Sequence, residues 1–205
     1  MAVTSGVGLP TQPDRIETSR LVLRRYEPTD ALAIQAGLND RKVAWTMGRL
    51  PHPYNGQDAR AFLATAHGPN EDSHAITLEG GELIGGCTLK RRAPLNNDAG
   101  MAETTTIGYW IARKHWRQGY ASEAVAAKLA EHFAASGEAV TAVVFADNKA
   151  SHRVLGHVGF RKVGTAHDAN SLREGPSLVY LFECTATDFA GANWNLDLSE
   201  AAMAS

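Results

Sequence analysis

The sequence is short of the features that mark several large functional classes. It has only two cysteines, Cys87 and Cys184, each inside an apolar, strand-like run. Two thiols placed this way have neither metal-ligand spacing nor the density of a disulfide framework, so both are expected to be buried free thiols and no metal is expected. Positive charge is not in excess: 20 Lys and Arg face 22 Asp and Glu, a formal net charge of −2. Non-specific nucleic-acid binding needs a basic field, and none is present. The one basic run, Lys90-Arg91-Arg92, reads as a solvated strand end, with a local basic patch as the alternative. No apolar run approaches the roughly 18–20 residues of a membrane span. The N-terminus has no basic region followed by an apolar core, so no secretory leader is expected and a cytoplasmic location follows most simply.

What remains is ordinary globular composition. A chain of 205 residues with 44% hydrophobic content suits one domain with a full core. Residues 1–18 are rich in Gly, Pro, Thr and Ser and read as a loose lead-in. Arg20 to Tyr26 alternates imperfectly, as a strand does. A short helix is expected from Pro28 to about Asn39, with Thr29 as its cap and Asp30 at its positive end. A second is expected over residues 57–66. Between them, Val43 to Met47 and Pro51-His52-Pro53-Tyr54 set aromatics beside prolines, a composition suited to a pocket wall.

Strands are expected over residues 74–79 and 82–90, joined by the Gly80-Gly81 turn, and over residues 101–111 after a polar loop at 93–100. In the last strand, Ile107, Tyr109 and Ile111 fall on one side and Thr106, Gly108 and Trp110 on the other. A long helix is expected over residues 120–136, with a stripe of Val125, Leu129, His132 and Phe133 and a stop at Gly137. A β-branched strand at 138–145, a helix at 148–158 and a closing strand pair at 160–167 and 177–184 complete the order. Residues 19–185 make the domain; 186–205 are a partly acidic tail with Trp194 as its large anchor. A strand–helix–strand unit gives a parallel crossover. The fold class is therefore α+β, with a mainly antiparallel sheet holding one parallel pair.

The most informative stretch is His115-Trp116-Arg117-Gln118-Gly119-Tyr120-Ala121-Ser122-Glu123-Ala124. A strand, a glycine turn and a helix start expose backbone N–H groups that have no helical partner, which makes an anion socket. Gly119 and Ala121 keep the approach open, and Arg117 adds charge. The stretch lacks the Lys-Ser/Thr ending of a nucleoside-triphosphate loop and the three glycines of a dinucleotide fold. A second helix start, Asn148-Lys149-Ala150-Ser151, follows about 25 residues later and can set polar groups beside that socket.

These segments together resemble the GCN5-related N-acetyltransferase (GNAT) superfamily, and within it the branch typified by the ribosomal-protein alanine acetyltransferases RimJ and RimL. The resemblance rests on Ile107-Gly108-Tyr109-Trp110-Ile111, Gly119-Tyr120-Ala121-Ser122-Glu123-Ala124 and Asn148 to Leu155 closing at Gly159-Phe160. It is supported by Arg20-Leu21-Val22-Leu23-Arg24 and Pro28-Thr29-Asp30-Ala31, and it covers roughly Arg20 to Cys184. It implies direct transfer of acetyl from acetyl-CoA to an amine in a ternary complex. It also implies that Trp116, Arg117, Gln118, Gly119, Tyr120, Ala121 and Ser122 hold the CoA pyrophosphate. Pantetheine would lie where the strand ending at Trp110-Ile111 splays from the strand after Glu138, with Asn148 beside it. Trp116 stands where the family's loop has Gln or Arg.

Acetyl transfer needs a neutral amine, a polarised carbonyl and a stabilised thiolate. A thiol pKa of about 8.5 keeps the last demand modest, and proximity supplies much of the rest, so neither cysteine need form an acyl-enzyme. Ser151 is expected as proton donor to the thiolate. Glu103, acting through water, is a candidate base, with a solvated strand-end charge as its other reading; His74 is another candidate, with a structural histidine as its alternative. Trp45, Tyr54, His74 and Trp110 are expected on the acceptor side, for a protein N-terminus or a small-molecule amine. Two alternatives stay open: a CoA-binding sensor or structural module with little turnover, and transfer of a different acyl group. A homodimer is kept among the expected partners.

Overall fold

The computed structural model describes residues 9, 13–93 and 103–192. Its centre is an eight-stranded sheet in the order β1-β2-β3-β4-β5-β6-β8-β7. The strands are β1 (Arg15–Glu17), β2 (Leu21–Arg25), β3 (Glu71–Leu78), β4 (Leu83–Arg92), β5 (Thr104–Ile111), β6 (Val140–Phe145), β7 (Arg161–Asp168) and β8 (Ser177–Cys184). Every neighbouring pair is antiparallel except β5 and β6. The helix linking that pair, α4 (Tyr120–Ala135), makes the parallel crossover expected of a strand–helix–strand unit.

The two faces of the sheet carry separate cores. On one face α4, α5 (Lys149–His157) and α6 (Ala186–Ala190) pack over Leu21, Leu23, Ile76, Cys87, Ile107 and Phe182. The helix α4 is rich in alanine, so it approaches the strands closely, and its Val125 and Leu129 are fully buried. Each such side chain contributes about 1.5–3 kcal/mol by leaving water. On the other face lie α1 (Ala31–Leu38), α2 (Arg41–Thr46) and α3 (Gly56–Thr65), over Tyr26, Ala75 and Trp110. A Cβ at Gly37 would sit 2.3 Å from the Trp110 ring. Only glycine lets α1 rest on that indole.

The α4 core also buries a polar chain. Lys128 is fully buried; its ammonium donates to Asp72 and, at 2.7 Å, to His74 Nδ1. The other ring nitrogen, Nε2, lies 2.9 Å from the Pro13 carbonyl. A carbonyl only accepts, so Nε2 carries the proton and Nδ1 is free to accept from lysine. Arg25 closes the chain on Asp72. Burial and the neighbouring Lys128 charge push the His74 pKa down to about 4. Burial pushes Asp72 up, but Lys128, His74 and Arg25 outweigh it and leave its pKa lowered.

Several elements differ from the expectations. Residues 15–17, inside the expected lead-in, form β1 against β2. Pro28–Asp30 is a 3-10 turn capped by Glu27, not by Thr29; Asp30 is buried and holds the Arg24 guanidinium at 2.8 and 2.9 Å. The Val43–Met47 connection is largely the helix α2, whose N-terminus is capped by Asp40 accepting from Lys42 and Val43. The tail begins with α6, capped by Thr185. The 93–100 loop, apart from Ala93, and Trp194 lie outside the described residues.

Candidate active site

Strands β5 and β6 are paired only at Thr105–Val140 and Thr106–Thr141. Beyond these positions β5 keeps β4 as its partner and β6 keeps β8. The facing edges therefore diverge into a V with unpaired backbone groups along both arms. A cavity of about 1060 Å³ occupies this V. It is lined from Thr106 to Ile111 on one arm and from Ala142 to Phe145 on the other, and it reaches residues on both faces of the sheet.

At the open end of β5 the chain turns into α4. Gly119 is the N-cap with φ of 83°, a left-handed conformation that carries no penalty for glycine. Arg117 also has positive φ, 63°. Among the described residues, no backbone N–H from Arg117 to Ser122 donates to a carbonyl or a side chain. This run of free donors, at the positive end of a 16-residue helix, makes a cradle with the geometry of an anion site. The Trp116 side chain points elsewhere: its indole N–H donates to the Ile111 carbonyl at 2.6 Å and pins the loop to the end of β5.

The cradle is buttressed from behind. Glu123, one turn into α4, accepts from the Arg20 Nε at 2.7 Å, the Arg20 N–H at 3.1 Å and the Thr18 hydroxyl at 2.6 Å. Arg20 also donates to the Gln118 carbonyl at 2.8 Å and lies over the Tyr120 ring at 4.8 Å. The segment before β2 thus fixes both the turn and the first helical residues. The sequence places Arg20 at the start of a strand and Glu123 at a helix start, but opposite charges across 103 positions give no local signal that they pair.

At the start of α5, Asn148 accepts from the Ser151 N–H at 3.1 Å, as a capping residue does. The Ser151 hydroxyl lies 2.6 Å from the Tyr109 phenol, and both residues line the cavity. Burial raises the Tyr109 pKa above the usual phenol range, with the Ser151 bond opposing, so Tyr109 keeps its proton at neutral pH. Sequence reasoning placed Tyr109 on the correct side of β5 but did not pair it with Ser151. Alternation names the face, not the partner helix.

The remaining expected site residues fall into two groups. Ile111, Trp110 and residues 116 to 122 line the cavity. Glu103 is exposed ahead of β5 and is not part of the described lining. His74 is fully buried under α4, away from the cavity, as an acceptor for Lys128. Tyr54 is buried in the α1–α3 core, where burial pushes its phenol up to about 12. Trp45 is half-exposed, donates to Asp147 at 3.1 Å and is stacked under the Arg173 guanidinium at 4.3 Å. It ties the end of α2 to the β6–α5 and β7–β8 connections, outside the described lining.

The arrangement has room for an elongated ligand, with the free N–H cradle at one end, the V as a narrow channel and the Ser151 and Tyr109 hydroxyls on its wall. No group of three or more His, Cys, Asp or Glu side chains among the described residues is placed to hold a metal ion. No described helix is long and apolar enough to cross a membrane.

The chain belongs to the acetyltransferase (GNAT) domain family, whose model matches residues 20–161. It is 33% identical over 155 residues to the uncharacterised N-acetyltransferase YoaA of Bacillus subtilis (strain 168), covering 73% of this chain and 84% of that protein. It is 36% identical over 103 residues to the ribosomal-protein-serine acetyltransferase of Escherichia coli (strain K12), covering 49% of this chain and 54% of that one. Among solved structures, Mycobacterium smegmatis RimJ in complex with CoA-disulfide superposes with a TM-score of 0.72 at 22% identity, covering 89% of this chain and 92% of that one. Spermidine N-acetyltransferase from Vibrio cholerae, in complex with CoA and spermine, superposes at 0.68 and 18%, covering 84% and 99%. At these identities the structural likeness is one of fold.

Proposed function

We propose that the chain transfers the acetyl group of acetyl-CoA to a primary amine, a protein N-terminus or a small-molecule amine, by direct attack in a ternary complex. The observation that carries this is one cavity joining the free N–H cradle, the V between β5 and β6 and the Tyr109–Ser151 pair. The family match and the CoA-bound relatives support it. Acetyl-CoA supplies an activated thioester. The cradle from Arg117 to Ser122 binds its pyrophosphate, with Arg117 adding charge, while the β5 and β6 edges hydrogen-bond its arm as an added strand would.

Ser151 donates to the departing sulfur, and Tyr109 donates to Ser151 in turn. Proximity lowers the barrier by removing the entropy of bringing two substrates together, so neither Cys87 nor Cys184, both buried, is required. We place the chain in the RimJ/RimL-like branch and in the cytoplasm, and a homodimer is compatible with this reading. Release of free thiol from acetyl-CoA, measured against N-terminal peptides, amino acids and polyamines with mass detection of product, tests it. Acetyl-CoA binding without amine-dependent thiol release would instead identify a CoA sensor. Faster release from succinyl- or longer acyl-CoA would identify a different donor.

A further inference from the structure

The cavity continues past the V to a wall that the residues expected on the acceptor side do not form. Two loops are strapped together there. Asn170 donates to the carbonyls of Ala44, at 2.9 Å, and Met47 at the end of α2. The Ser171 hydroxyl donates to the Leu50 carbonyl at 2.5 Å. Arg49 donates its N–H to the Ala169 carbonyl at 3.2 Å and its Nε to Asp168 Oδ1 at 2.9 Å. Arg49 has φ of 54°, a left-handed conformation that costs a non-glycine residue energy and persists only where its surroundings hold it. The strap fixes the Asp168 carboxylate at the cavity wall.

Asp168 is the only carboxylate among the described residues that line the cavity. It is 6% exposed. Its Oδ1 accepts from Arg49 and from the Ala169 N–H at 2.8 Å. Its Oδ2 accepts from no described residue and lies on the Gly48 side, 3.5 Å from where a Cβ at Gly48 would stand. Oδ2 is the edge of this otherwise buried carboxylate that meets the cavity, where a ligand or water can donate to it. Arg49 is the cation on the same wall; Lys90 and Arg92 line the opposite end of the cavity, where Lys90 stands across from Thr106 and β5 and β6 are still paired. The single carboxylate makes one seat for an ammonium group.

Building on the acetyltransferase reading, we propose that Asp168 Oδ2 is the seat of the acceptor's reacting amine, and that the acceptor carries a single ammonium group rather than a polyamine chain. The seat holds the ammonium at the mouth of the V. One proton first passes from the ammonium through Asp168 to water, because only the neutral amine has a lone pair. Its nitrogen then forms the new bond to the acetyl carbon while the carbon–sulfur bond breaks. A second proton, acidified once nitrogen is bonded to the acyl carbon, reaches the sulfur through Ser151, leaving amide, free thiol and one released proton.

The test uses alaninamide, with one ammonium group, N-acetylalaninamide, with none, and spermidine, with several. The wild-type protein should bind alaninamide in the presence of CoA by calorimetry and ignore its blocked form. It should acetylate alaninamide with higher kcat/KM than spermidine. Asp168→Asn should weaken alaninamide binding and lower its kcat/KM at least tenfold while acetyl-CoA affinity stays unchanged, and Asp168→Glu should restore part of it. Gly48→Val covers Oδ2 without touching the strap and should give the same selective loss, which keeps the proposal testable if Asp168→Asn does not fold. A spermidine preference, or wild-type alaninamide kinetics in either Asp168→Asn or Gly48→Val, overturns the seat and leaves the transferase reading standing. Acetyl-CoA binding with no thiol release for any amine overturns both.

Discussion

The Tyr109–Ser151 contact allows the leaving-group step to be tested by perturbing two atoms in series. The hydroxyls lie 2.6 Å apart, and both side chains line the cavity. A phenol that donates to Ser151 leaves the serine proton free to point at the sulfur. Ser151→Ala removes the group facing the thiolate and should lower kcat about tenfold, about 1.4 kcal/mol, because a thiolate is already a competent leaving group. Tyr109→Phe removes only the supporting bond. A net hydrogen bond is worth about 1 kcal/mol, so kcat should fall about fivefold.

The two residues act through one proton path, so the double variant should resemble Ser151→Ala alone rather than the product of the two effects. All three variants should keep wild-type affinity for acetyl-CoA, since charge develops on sulfur only in the transition state. Pre-steady-state thiol release with a chemistry-limited acceptor, alongside calorimetry of acetyl-CoA binding, supplies both numbers. Unchanged kcat in Ser151→Ala, or fully multiplicative effects, would refute the relay.

Two further outcomes follow from the buttress and the buried chain. Arg20→Ala or Glu123→Gln should weaken acetyl-CoA binding several-fold, with kcat at saturating donor unchanged; Arg20 is half-exposed, so its bonds are worth about 1 kcal/mol rather than several, and a fall in kcat without a change in Kd would contradict the assignment. The His74 pKa is depressed to about 4 in the folded chain from an ordinary 6.5, so the unfolded chain binds more protons between those values. Stability is then full above about pH 6.5 and declines as pH falls toward 4, by on the order of 3 kcal/mol. The lowered pKa of Asp72 extends the loss further into acid. Urea midpoints that stay flat from pH 7 to about 4.5 would contradict this reading.

The parts of the fold legible in the sequence were those written into local backbone chemistry. Gly119 must be left-handed at the start of α4, Asn148 caps α5, and Gly80-Gly81 joins β3 to β4 with Gly81 at φ of 83°. The crossover rule then gives the parallel pair without further information. The helix α2 was missed although Asp40 is a good cap. It spans only Arg41–Thr46, too short for a hydrophobic period to show, and Trp45 and nearby prolines suggested a pocket wall. Strand β1 has three residues and exists because β2 offers it an edge.

The site was harder wherever its members are distant in sequence. Lys128 sits in an alanine-rich helix where a lysine normally faces water, and only the pairing of β3 beneath it supplies Asp72 and His74. That same pairing takes His74 out of the cavity lining. Asp168 falls just past the expected 160–167 strand, in the connecting loop, and gives no signal there, because the strap that buries it joins residues 119 to 126 positions apart.

The measurement closest to the central claim is acetyl-CoA binding by calorimetry to the wild-type chain, Gly119→Asn and Gly119→Glu, each checked for native circular dichroism. Asparagine tolerates the left-handed conformation without adding charge, whereas glutamate places a carboxylate among the free N–H groups. Saturable binding by the wild-type protein, most of it kept in Gly119→Asn and lost in folded Gly119→Glu, is the predicted result. Unchanged affinity in folded Gly119→Glu would contradict the placement of the pyrophosphate on the Arg117–Ser122 cradle.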